Sequence, residues 1–398
     1  MMNSQSSTPI NHTPIEADPP KIKVVGLGGG GCNAVNRMIE NGMRGVEFIA
    51  CNTDKQALDS SLANVKIQLG PKCTRGLGAG GLPPVGEMAA EESFQTLANA
   101  LDGADMVFLA AGMGGGTGTG SIPVAARVAK HVGAVTIAVV TTPFSFEMGR
   151  RQKNAVIGLQ KLRQFTHTLI TVPNDRLLEV APHDLPLEMA FKLADDVLRQ
   201  GVQGIAELLT ETGLINVDFA HIRHVMELGG GALMAIGTGE GEDKAMKALN
   251  QALHHPMLDQ VSLDSATGVI ANFSGGEDLT FAEVAETLSH LHDEAGENTE
   301  IIPGVINDPN MNNRAQVILI VTGLGALPLE KAIPGAERFL AELPPIEETP
   351  QPANRQYEHA ETVASRHVPS DFAYAPARAA VNTNDLDVPA FLRKRIRG

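Results

Sequence analysis

The chain has 398 residues, of which 43% are hydrophobic and 19% are charged. This length and composition are typical of a globular protein with two or three domains, and they exclude an isolated peptide or a fully disordered chain. The net charge is −15, from 31 Lys and Arg against 46 Asp and Glu, so most of the surface repels phosphate backbones and general nucleic-acid binding is excluded.

The N-terminal half predicts a doubly wound α/β domain. Residues 1–20 show no hydrophobic periodicity, and we expect them to form a disordered tail. From residue 21 onward, short apolar runs alternate with helical patterns and predict buried strands at 22–27, 46–51, 65–69, 106–111, 134–140 and 167–172. Continuous apolar strands separated by helices are typical of a parallel sheet that is covered on both faces. We assign this domain to residues 21–186.

The C-terminal half predicts a connecting helix, a second domain and a tail. Apolar residues at helical spacing indicate a long helix over 187–212. Apolar segments at 232–239, 267–275, 300–306 and 315–323 then predict a smaller α+β domain over 213–340.

The composition of residues 341–384 predicts a disordered linker. Residues 385–398 are either a frayed tail or a peptide that folds on a partner. Partner contacts are then expected from Asp387, Pro389, Phe391, Leu392 and Arg393.

Three glycines at the end of the first predicted strand and just after it have the spacing GxGxxG, namely Gly26, Gly28 and Gly31. A helix is predicted to begin near Cys32 or Asn33, which would place backbone N–H groups and a helix N-terminus beside a phosphate. Asp54 follows the second strand, where a dinucleotide-binding fold carries its ribose-binding acid. A nicotinamide-dependent dehydrogenase is therefore one alternative.

Two further glycine-rich loops favour a different ligand. The segment AAGMGGGTGTGS at 110–121 ends the fourth strand and opens another helix, and it offers the many donors that a triphosphate needs. The segment TRGLGAGG at 74–81 follows the third strand and is placed to close over a terminal phosphate. A Walker loop, GxxxxGK followed by Ser or Thr, does not occur around these sites, so the sequence does not predict a P-loop enzyme.

The ordered motifs of the chain resemble those of the tubulin-like GTPases. GGGTGTG at 114–120 is similar to the tubulin signature loop. Further motifs appear along the chain in the order expected of the FtsZ family of bacterial cell division. They are GGGGCNAVNRM, NTDKQAL, TRGLGAGG, FSFEMGRR, TVPNDRLL, AFKLADDVL and GLINVDFA. The resemblance covers about residues 21–325 and the C-terminal LDVPAFLRKR. It implies a GTPase that polymerises during division.

The resemblance implies a GTP site assembled from several loops. The first glycine loop is expected to contribute Gly29, Gly30, Gly31, Cys32 and Asn33, and the second Gly115, Gly116, Thr117 and Gly118. The ribose region would be bound by Glu147 and Arg151, and the guanine by Asn174, Phe191 and Asp196. These residue types suit the ligand, because a carboxylate accepts from ribose hydroxyls or guanine N–H groups and an aromatic ring stacks on the base.

The resemblance further implies that residues 213–221 enter the nucleotide site of the next copy and complete it. Phosphoryl transfer needs positioning and electrostatic stabilisation, and we expect these from Asp218 with Asn216 assisting. His221 stands where the family usually has a second Asp. A neutral imidazole accepts a hydrogen bond but lacks the negative charge. Slower or differently pH-dependent hydrolysis with preserved assembly is therefore expected.

The remaining expectations concern ligands, partners and location. GTP or GDP would bind together with Mg²⁺, without a metal site of the protein's own. Partners would be further copies of the chain and, through the C-terminal peptide, a membrane adaptor and regulatory division proteins, without direct insertion into the membrane. Three cysteines without a CxxC pair and the lack of a signal-peptide pattern favour the cytoplasm, at the mid-cell division site. The alternatives are a tubulin-like filament scaffold whose hydrolysis is weakened by His221, and the dehydrogenase.

Overall fold

The strands and helices of the first half alternate as the sequence predicts. The computed structural model describes residues 19–147, 149–182, 184–210, 215, 217–228, 230–256, 258, 263, 266–296, 299–324, 329–333 and 335–340, all within one compact unit, Met1–Ile346. The expected linker at 341–384, the expected peptide at 385–398 and most of the expected N-terminal tail lie outside the described residues.

The first half contains six strands and seven helices among its described residues. They are β1 (Ile22–Leu27), α1 (Gly28–Glu40), β2 (Val46–Asn52), α2 (Lys55–Asp59), β3 (Val65–Gln68), α3 (Pro83–Glu92), α4 (Phe94–Leu101), β4 (Met106–Gly112), α5 (Thr117–His131), β5 (Val135–Thr142), α6 (Arg150–Leu162), β6 (Thr168–Pro173) and α7 (Asn174–Val180). The strand predictions are confirmed to within a residue or two at their ends.

The second half opens with the predicted long helix. Its described elements are α8 (Leu187–Thr210), α9 (Phe219–Glu227), β7 (Gly230–Glu240), α10 (Lys244–Leu253), β8 (Gly268–Gly275), α11 (Phe281–Ala295), β9 (Glu300–Asn307), β10 (Arg314–Thr322), α12 (Leu329–Ala332) and α13 (Glu337–Leu340). The strand predictions of this half are confirmed as well.

One sheet runs through both halves, which the sequence pattern does not predict. Its strand order is β3-β2-β1-β4-β5-β6-β7-β10-β8-β9. All neighbours from β3 to β7 are parallel, whereas β10 is antiparallel to both β7 and β8. The halves join where Thr168, Leu169 and Ile170 of β6 pair with the first residues of β7. This short junction makes the second half a continuation of the first sheet.

Alternate residues of the parallel strands face two separate apolar cores. Val24 of β1, Phe108 of β4 and Ile137 of β5 lie in a core on one face, together with buried residues of α1, α8 and α9. Their neighbours along the chain, such as Val25 and Leu109, lie in a core on the other face with residues of α5 and α6. Strands that are buried on both faces require continuous apolar runs, and the sequence supplies them.

Helix α8 crosses the whole depth of the sheet. Near its start, the backbone carbonyl of Lys192 accepts a hydrogen bond of 2.6 Å from Arg37 in α1. At its end, Thr210 lies against Gly45, which precedes β2. Its 24 residues span about 36 Å at 1.5 Å per residue. The helix therefore connects the edge at which the parallel strands end to the edge at which they begin.

The last described segment returns to the first half of the chain. We expected residues up to 340 to belong to the C-terminal domain. Leu329, Ala332, Ile333 and Ala336 are instead buried in the core that contains α5 and α6. The reason is packing, because these small and branched apolar side chains cover α6 and the end of the parallel sheet. No helix in the described part of the chain combines the length and apolar character needed to cross a bilayer.

Candidate functional site

The order of strands places a crevice between β1 and β4. Going outward from this pair, the chain order runs β1-β2-β3 on one side and β4-β5-β6 on the other. Ligands of open α/β sheets bind at such a reversal, beyond the carboxyl ends of the strands. Helices α1 and α5 both begin there, directly after β1 and shortly after β4. The predicted first and second glycine loops therefore meet at one place.

Helix α1 begins at Gly28, and our expectation of a start near Cys32 or Asn33 is wrong. Glycine is a poor helix former, so the run of four glycines concealed the first turn. Its positions need glycine for another reason. Gly28 has a φ of +69°, and a methyl group built on Gly31 would lie 2.1 Å from the carbonyl oxygen of Ala110. Gly29, Gly30 and Gly31 therefore belong to the helix N-terminus itself.

The second loop has the same construction. Helix α5 begins at Thr117 with Gly116 as its N-cap residue. A methyl group built on Gly28 would lie 2.7 Å from the backbone nitrogen of Gly118, so the two helix N-termini abut. Neither helix has a side-chain N-cap, which leaves backbone N–H groups of both first turns for a ligand. A helix N-terminus also carries partial positive charge, so this pair forms an anion site.

The space in front of these N-termini is open. A methyl group built on Gly29 or on Gly115 would meet no atom within 4 Å. The hydroxyls of Thr53 and Thr117 lie 2.6 Å apart beside the second loop. These groups lie beside a donor-rich cradle that has open space at the Cβ positions of Gly29 and Gly115. Such a cradle suits several phosphate groups in a row.

The third glycine-rich loop lies against the second. The backbone N–H of Gly78 donates to the carbonyl oxygen of Thr53 at 3.2 Å, and a methyl group built on Gly116 would lie 2.7 Å from the backbone nitrogen of Leu82. The third loop therefore lies beside the second, and its closure over a terminal phosphate stays a prediction.

The structure gives Asp54 a local role in place of the ribose-binding role of the dehydrogenase alternative. Its carboxylate caps α2 by accepting hydrogen bonds from the N–H groups of Gln56 and Ala57 at 2.9 and 3.2 Å.

Cys32 lies at the first loop but is not a nucleophile. Its thiol is buried and donates to the carbonyl oxygens of Gly26 and Cys51 at 3.6 and 3.7 Å. Burial raises the pKa of Cys32 to about 12, against the smaller opposing effect of its hydrogen bonds. The thiolate is the reactive form, so this residue packs beneath the loop and takes no part in covalent chemistry.

Glu147 and Arg151 form an ion pair at the rim of the second loop. The other carboxylate oxygen of Glu147 accepts a 3.0 Å hydrogen bond from the N–H of Phe144. The side chain of Glu147 is only 9% exposed, whereas that of Arg151 is 56% exposed. Glu147 therefore shapes the segment before α6, and Arg151 is the more exposed member of the pair.

Asn174 directly follows β6, and Phe191 packs against Phe144, which follows β5. Asn174 begins α7, and its buried Oδ1 has no hydrogen-bond partner among the described residues. Phe191, which is 38% exposed, packs edge-on against Phe144 with ring centroids 5.5 Å apart. A buried acceptor without a partner is costly unless a ligand satisfies it. The partly exposed ring of Phe191 suits a planar base.

Asp196 was expected to be the carboxylate that binds the base, but the structure places Asp195 beside the first loop. A methyl group built on Gly30 would lie 4.0 Å from Oδ1 of Asp195. Asp196 instead accepts hydrogen bonds from Arg199 and Gln200 on its own helix. Burial acts to raise the pKa of Asp196, but these hydrogen bonds and the charges of Arg199 and Arg37 lower it overall. It is thus a structural anion on α8.

The surroundings of Asp195 disfavour its ionised form. Burial raises its pKa to about 6, and Asp196 adds to this, while Arg37 and a hydrogen bond with Asn33 oppose it. The closest approach of Arg37 is 3.6 Å. A carboxylate that the fold disfavours, next to an open anion site, is a candidate functional group. The sequence shows two adjacent aspartates, Asp195 and Asp196. Which of them faces the first loop depends on how α8 is oriented about its own axis, and only the structure gives that orientation.

The residues expected to catalyse hydrolysis lie at the opposite end of α8. Asp218 is the N-cap residue of α9, where its carboxylate accepts a 3.0 Å hydrogen bond from the N–H of Ala220. Val217 and Phe219 pack against the core, which leaves Asp218 and His221 exposed on the first turn. Asn216 lies outside the described residues. Asp195 lies beside the first glycine loop, and the part of α8 from Asp195 to Thr210 spans about 22 Å at 1.5 Å per residue. Asp218 and His221 follow that far end, so they lie away from the glycine loops of the same chain.

Comparison with known proteins agrees with this architecture. Residues 21–182 match the GTPase domain of the Tubulin/FtsZ family, and residues 230–325 match the C-terminal domain of the FtsZ family. An empty FtsZ dimer from M. jannaschii is 47% identical over 76% of this chain and 88% of that chain, with a TM-score of 0.74. A mutant FtsZ from the same organism is 46% identical over 77% and 92%, also with a TM-score of 0.74.

A more distant structure shows a likeness of fold alone. The GTPγS-bound protofilament of CetZ2 from Haloferax volcanii is 19% identical over 81% of this chain and 99% of that chain, with a TM-score of 0.68.

We predict that Asp195→Asn weakens guanine-nucleotide binding about tenfold or more, because a charge-assisted hydrogen bond to the base is lost. The matched control is Asp196→Asn, which removes the neighbouring charge but not the one beside the loop. Calorimetric titration of both variants with GDP checks this. Equal affinities of the two variants would contradict the assignment.

The same variant has a pH signature in the nucleotide-free protein. The folded pKa of Asp195, about 6, is above the ordinary value of 3.8, so its stabilising contribution is present at low pH and is lost as the pH rises through 6. Relative to wild type, Asp195→Asn should therefore gain about 2 kcal/mol in unfolding free energy between pH 4.5 and 7.5. Urea denaturation of both proteins at both pH values measures this change. The prediction would be contradicted if the difference in unfolding free energy between Asp195→Asn and wild type were the same at pH 4.5 and pH 7.5.

Proposed function

The chain belongs to the FtsZ family of tubulin-like GTPases, and we propose that its copies stack head to tail into filaments in which each contact completes a site for GTP hydrolysis. The family assignment makes it a GTP-binding, self-associating protein of the tubulin class. The further proposals concern how hydrolysis is divided between copies, where filaments form and how they reach a membrane.

The observation that carries the nucleotide site is the meeting of two uncapped helix N-termini. Gly28 and Gly118 bring α1 and α5 together at the reversal of strand order, and the third loop lies over the second. One such N-terminus suits a single phosphate, whereas two facing ones suit a chain of phosphates. Asp195, Asn174 and Phe191 then provide a carboxylate, an amide and an aromatic ring for guanine.

Mg²⁺ is proposed to arrive with the nucleotide. Among the described residues, no group of three or more His, Cys, Asp or Glu side chains is placed to hold a metal ion. Mg²⁺ favours oxygen ligands and is commonly held by substrate phosphates and water. The hydroxyls of Thr53 and Thr117 are suitable neighbours for that water shell. When bound, the ion would neutralise charge on the phosphates.

The position of Asp218 supports division of the active site between two copies. It is exposed at the far end of α8, and the glycine loops are open at the near end. A head-to-tail contact brings these two ends together and repeats without closing, which gives a filament. Asp218 would then orient water against the terminal phosphate held by the neighbour. The dimer reported for FtsZ from M. jannaschii supports self-association of a close relative.

His221 occupies the same turn as Asp218. The backbone N–H of His221 donates to the carbonyl oxygen of Asp218 at 3.0 Å, and both side chains are exposed. Residues three apart on a helix share a face, so His221 would enter the neighbour's site together with Asp218. We propose that it hydrogen-bonds water or phosphate there and supplies less negative charge than a second Asp would.

Two substitutions test the catalytic turn. Asp218→Asn should lower GTP turnover about 100-fold or more while the cap of α9 is kept, because Asn caps as well as Asp. His221→Asp should raise turnover or shift its pH dependence. Phosphate release by assembled protein measures both, and GTP binding by each variant should equal that of wild type. If Asp218→Asn turned over GTP at the wild-type rate, the proposed catalytic role of Asp218 would be wrong. If His221→Asp had an unchanged rate and pH profile, the proposed role of His221 would be wrong.

The cellular part of the proposal is a division ring at mid-cell, in the cytoplasm, that reaches the membrane through an adaptor. Its support is the family assignment and the C-terminal sequence, in which an apolar edge precedes Arg393, Lys394, Arg395 and Arg397. These charges add about 1 kcal/mol each near an anionic surface, which is too little for stable anchoring alone.

Deleting residues 385–398 should leave GTP turnover intact and abolish localisation to the division site, because the peptide lies apart from the nucleotide and catalytic residues in sequence. Fluorescence microscopy of the deletion variant and a phosphate-release assay of the purified protein check both halves. Loss of turnover, or retained localisation, would contradict this division of labour.

A further inference from the structure

The segment at 329–340 joins the end of the second half to the nucleotide half of the sheet. We call its described residues, 329–333 and 335–340, the strap. Leu329, Ala332, Ile333 and Ala336 are each at most 6% exposed. They pack in the same core as Ala155, Val156 and Leu159 of α6. The strap is therefore an integral part of the nucleotide half, although it follows the last strand of the other half.

A buried hydrogen bond ties the strap to β5. The hydroxyl of Thr142 donates to the carbonyl oxygen of Ala332 at 2.7 Å, and both residues are at most 1% exposed. Thr142 is the last residue of β5. In a dry environment the carbonyl would be left without a partner if this hydroxyl were removed. The bond therefore fixes the end of β5.

The chain that leaves Thr142 enters the nucleotide site at once. A methyl group built on Gly114 in the second loop would lie 2.7 Å from Cγ of Pro143. The N–H of Phe144 holds Glu147 at 3.0 Å, and the ring of Phe144 supports Phe191. The N–H of Ser145 donates to Asp175 of α7 at 2.9 Å. A shift at the end of β5 would thus move several groups that surround the ligand.

The strap also contacts the far end of this segment. Gln152, which is only 8% exposed, follows Arg151 directly in α6. A methyl group built on Gly335 of the strap would lie 3.8 Å from Oε1 of Gln152. The strap therefore contacts Thr142 and lies close to Gln152, the residues on either side of the segment 143–151, whose described residues, 143–147 and 149–151, include Glu147 and Arg151.

From these contacts we infer that the strap positions the segment 143–151 for the nucleotide, with Thr142 as the positioning residue. This inference rests on the proposed function of the site. Thr142 itself does not touch the ligand. It acts through Pro143 and Phe144, and it makes nucleotide affinity depend on a segment that lies just before the C-terminal linker in the sequence.

The test is Thr142→Val, which keeps the shape of the side chain and removes its hydroxyl. We expect nucleotide affinity of unassembled protein to fall about three- to tenfold, in line with the loss of one buried hydrogen bond. The KM for GTP should rise by a similar factor, with kcat of assembled protein within twofold of wild type. Thr142→Ser keeps the hydroxyl and should restore the affinity.

The matched control is Thr322→Val. The hydroxyl of Thr322 is also 1% exposed, and it donates to the carbonyl oxygen of Gly268 at 3.2 Å, in the second half. This variant should lose stability to a similar extent but bind GDP as wild type does. Ile333→Ala loosens the strap without touching β5, so it should weaken binding too, and less than additively with Thr142→Val.

Stopped-flow displacement of a fluorescent GDP analogue, at a temperature where thermal melts show every variant folded, gives the affinities. Wild-type affinity for Thr142→Val, or equal losses for Thr142→Val and Thr322→Val, would overturn the strap's role. If Thr142→Val does not fold, wild-type affinity for Ile333→Ala would overturn it. Failure of the wild-type protein to bind GDP at all would instead overturn the proposed function.

Discussion

The close approach of two helix N-termini is the constraint on which the nucleotide half depends. Helices α1 and α5 follow adjacent strands, and their first turns lie so near each other that a side chain at Gly28 would strike the backbone of Gly118. Only glycine permits that approach. Its result is a set of uncapped N–H groups facing open space, which is unfavourable unless an anion occupies it. The stability that the fold forgoes there is expected to return when phosphates bind.

Helix α8 imposes the second constraint, which is distance. Asp195 in its first half lies beside Gly30 of the first loop, and Thr210 at its end lies against Gly45 before β2. Arg37 in the last turn of α1 donates a hydrogen bond to the backbone carbonyl of Lys192 in α8. Phe191 also lies in the first half of the helix, and the end of the helix leads to Asp218. A rigid element of this length keeps Asp195 and Asp218 apart within a single chain. In the proposed filament, the same element would bring the proposed catalytic turn of one copy to the nucleotide edge of the next. Assembly and hydrolysis are linked by geometry in this account.

Much of this was readable from sequence, and the exceptions have physical causes. Strands such as β1 and β4 were predicted because their apolar runs are unbroken, and the glycine loops because their spacing is unusual. The start of α1 was missed because glycine carries no helical signal. Asp196 was chosen over Asp195 because adjacent residues differ only by a rotation of about 100°, which packing of α8 decides. The junction of β6 with β7 and the return of the strap are long-range contacts that no local pattern encodes.

The most direct measurement combines two defective copies. Asp218→Asn keeps an intact cradle, and Gly115→Asp places a carboxylate in the open phosphate space while retaining Asp218. Asp218→Asn is loaded with GTP, freed of excess nucleotide, and mixed with nucleotide-free Gly115→Asp while phosphate release is followed. The account predicts that neither variant alone releases phosphate appreciably and that the mixture does. Release at the wild-type rate by Asp218→Asn alone, or a mixture as inactive as its parts, would contradict it.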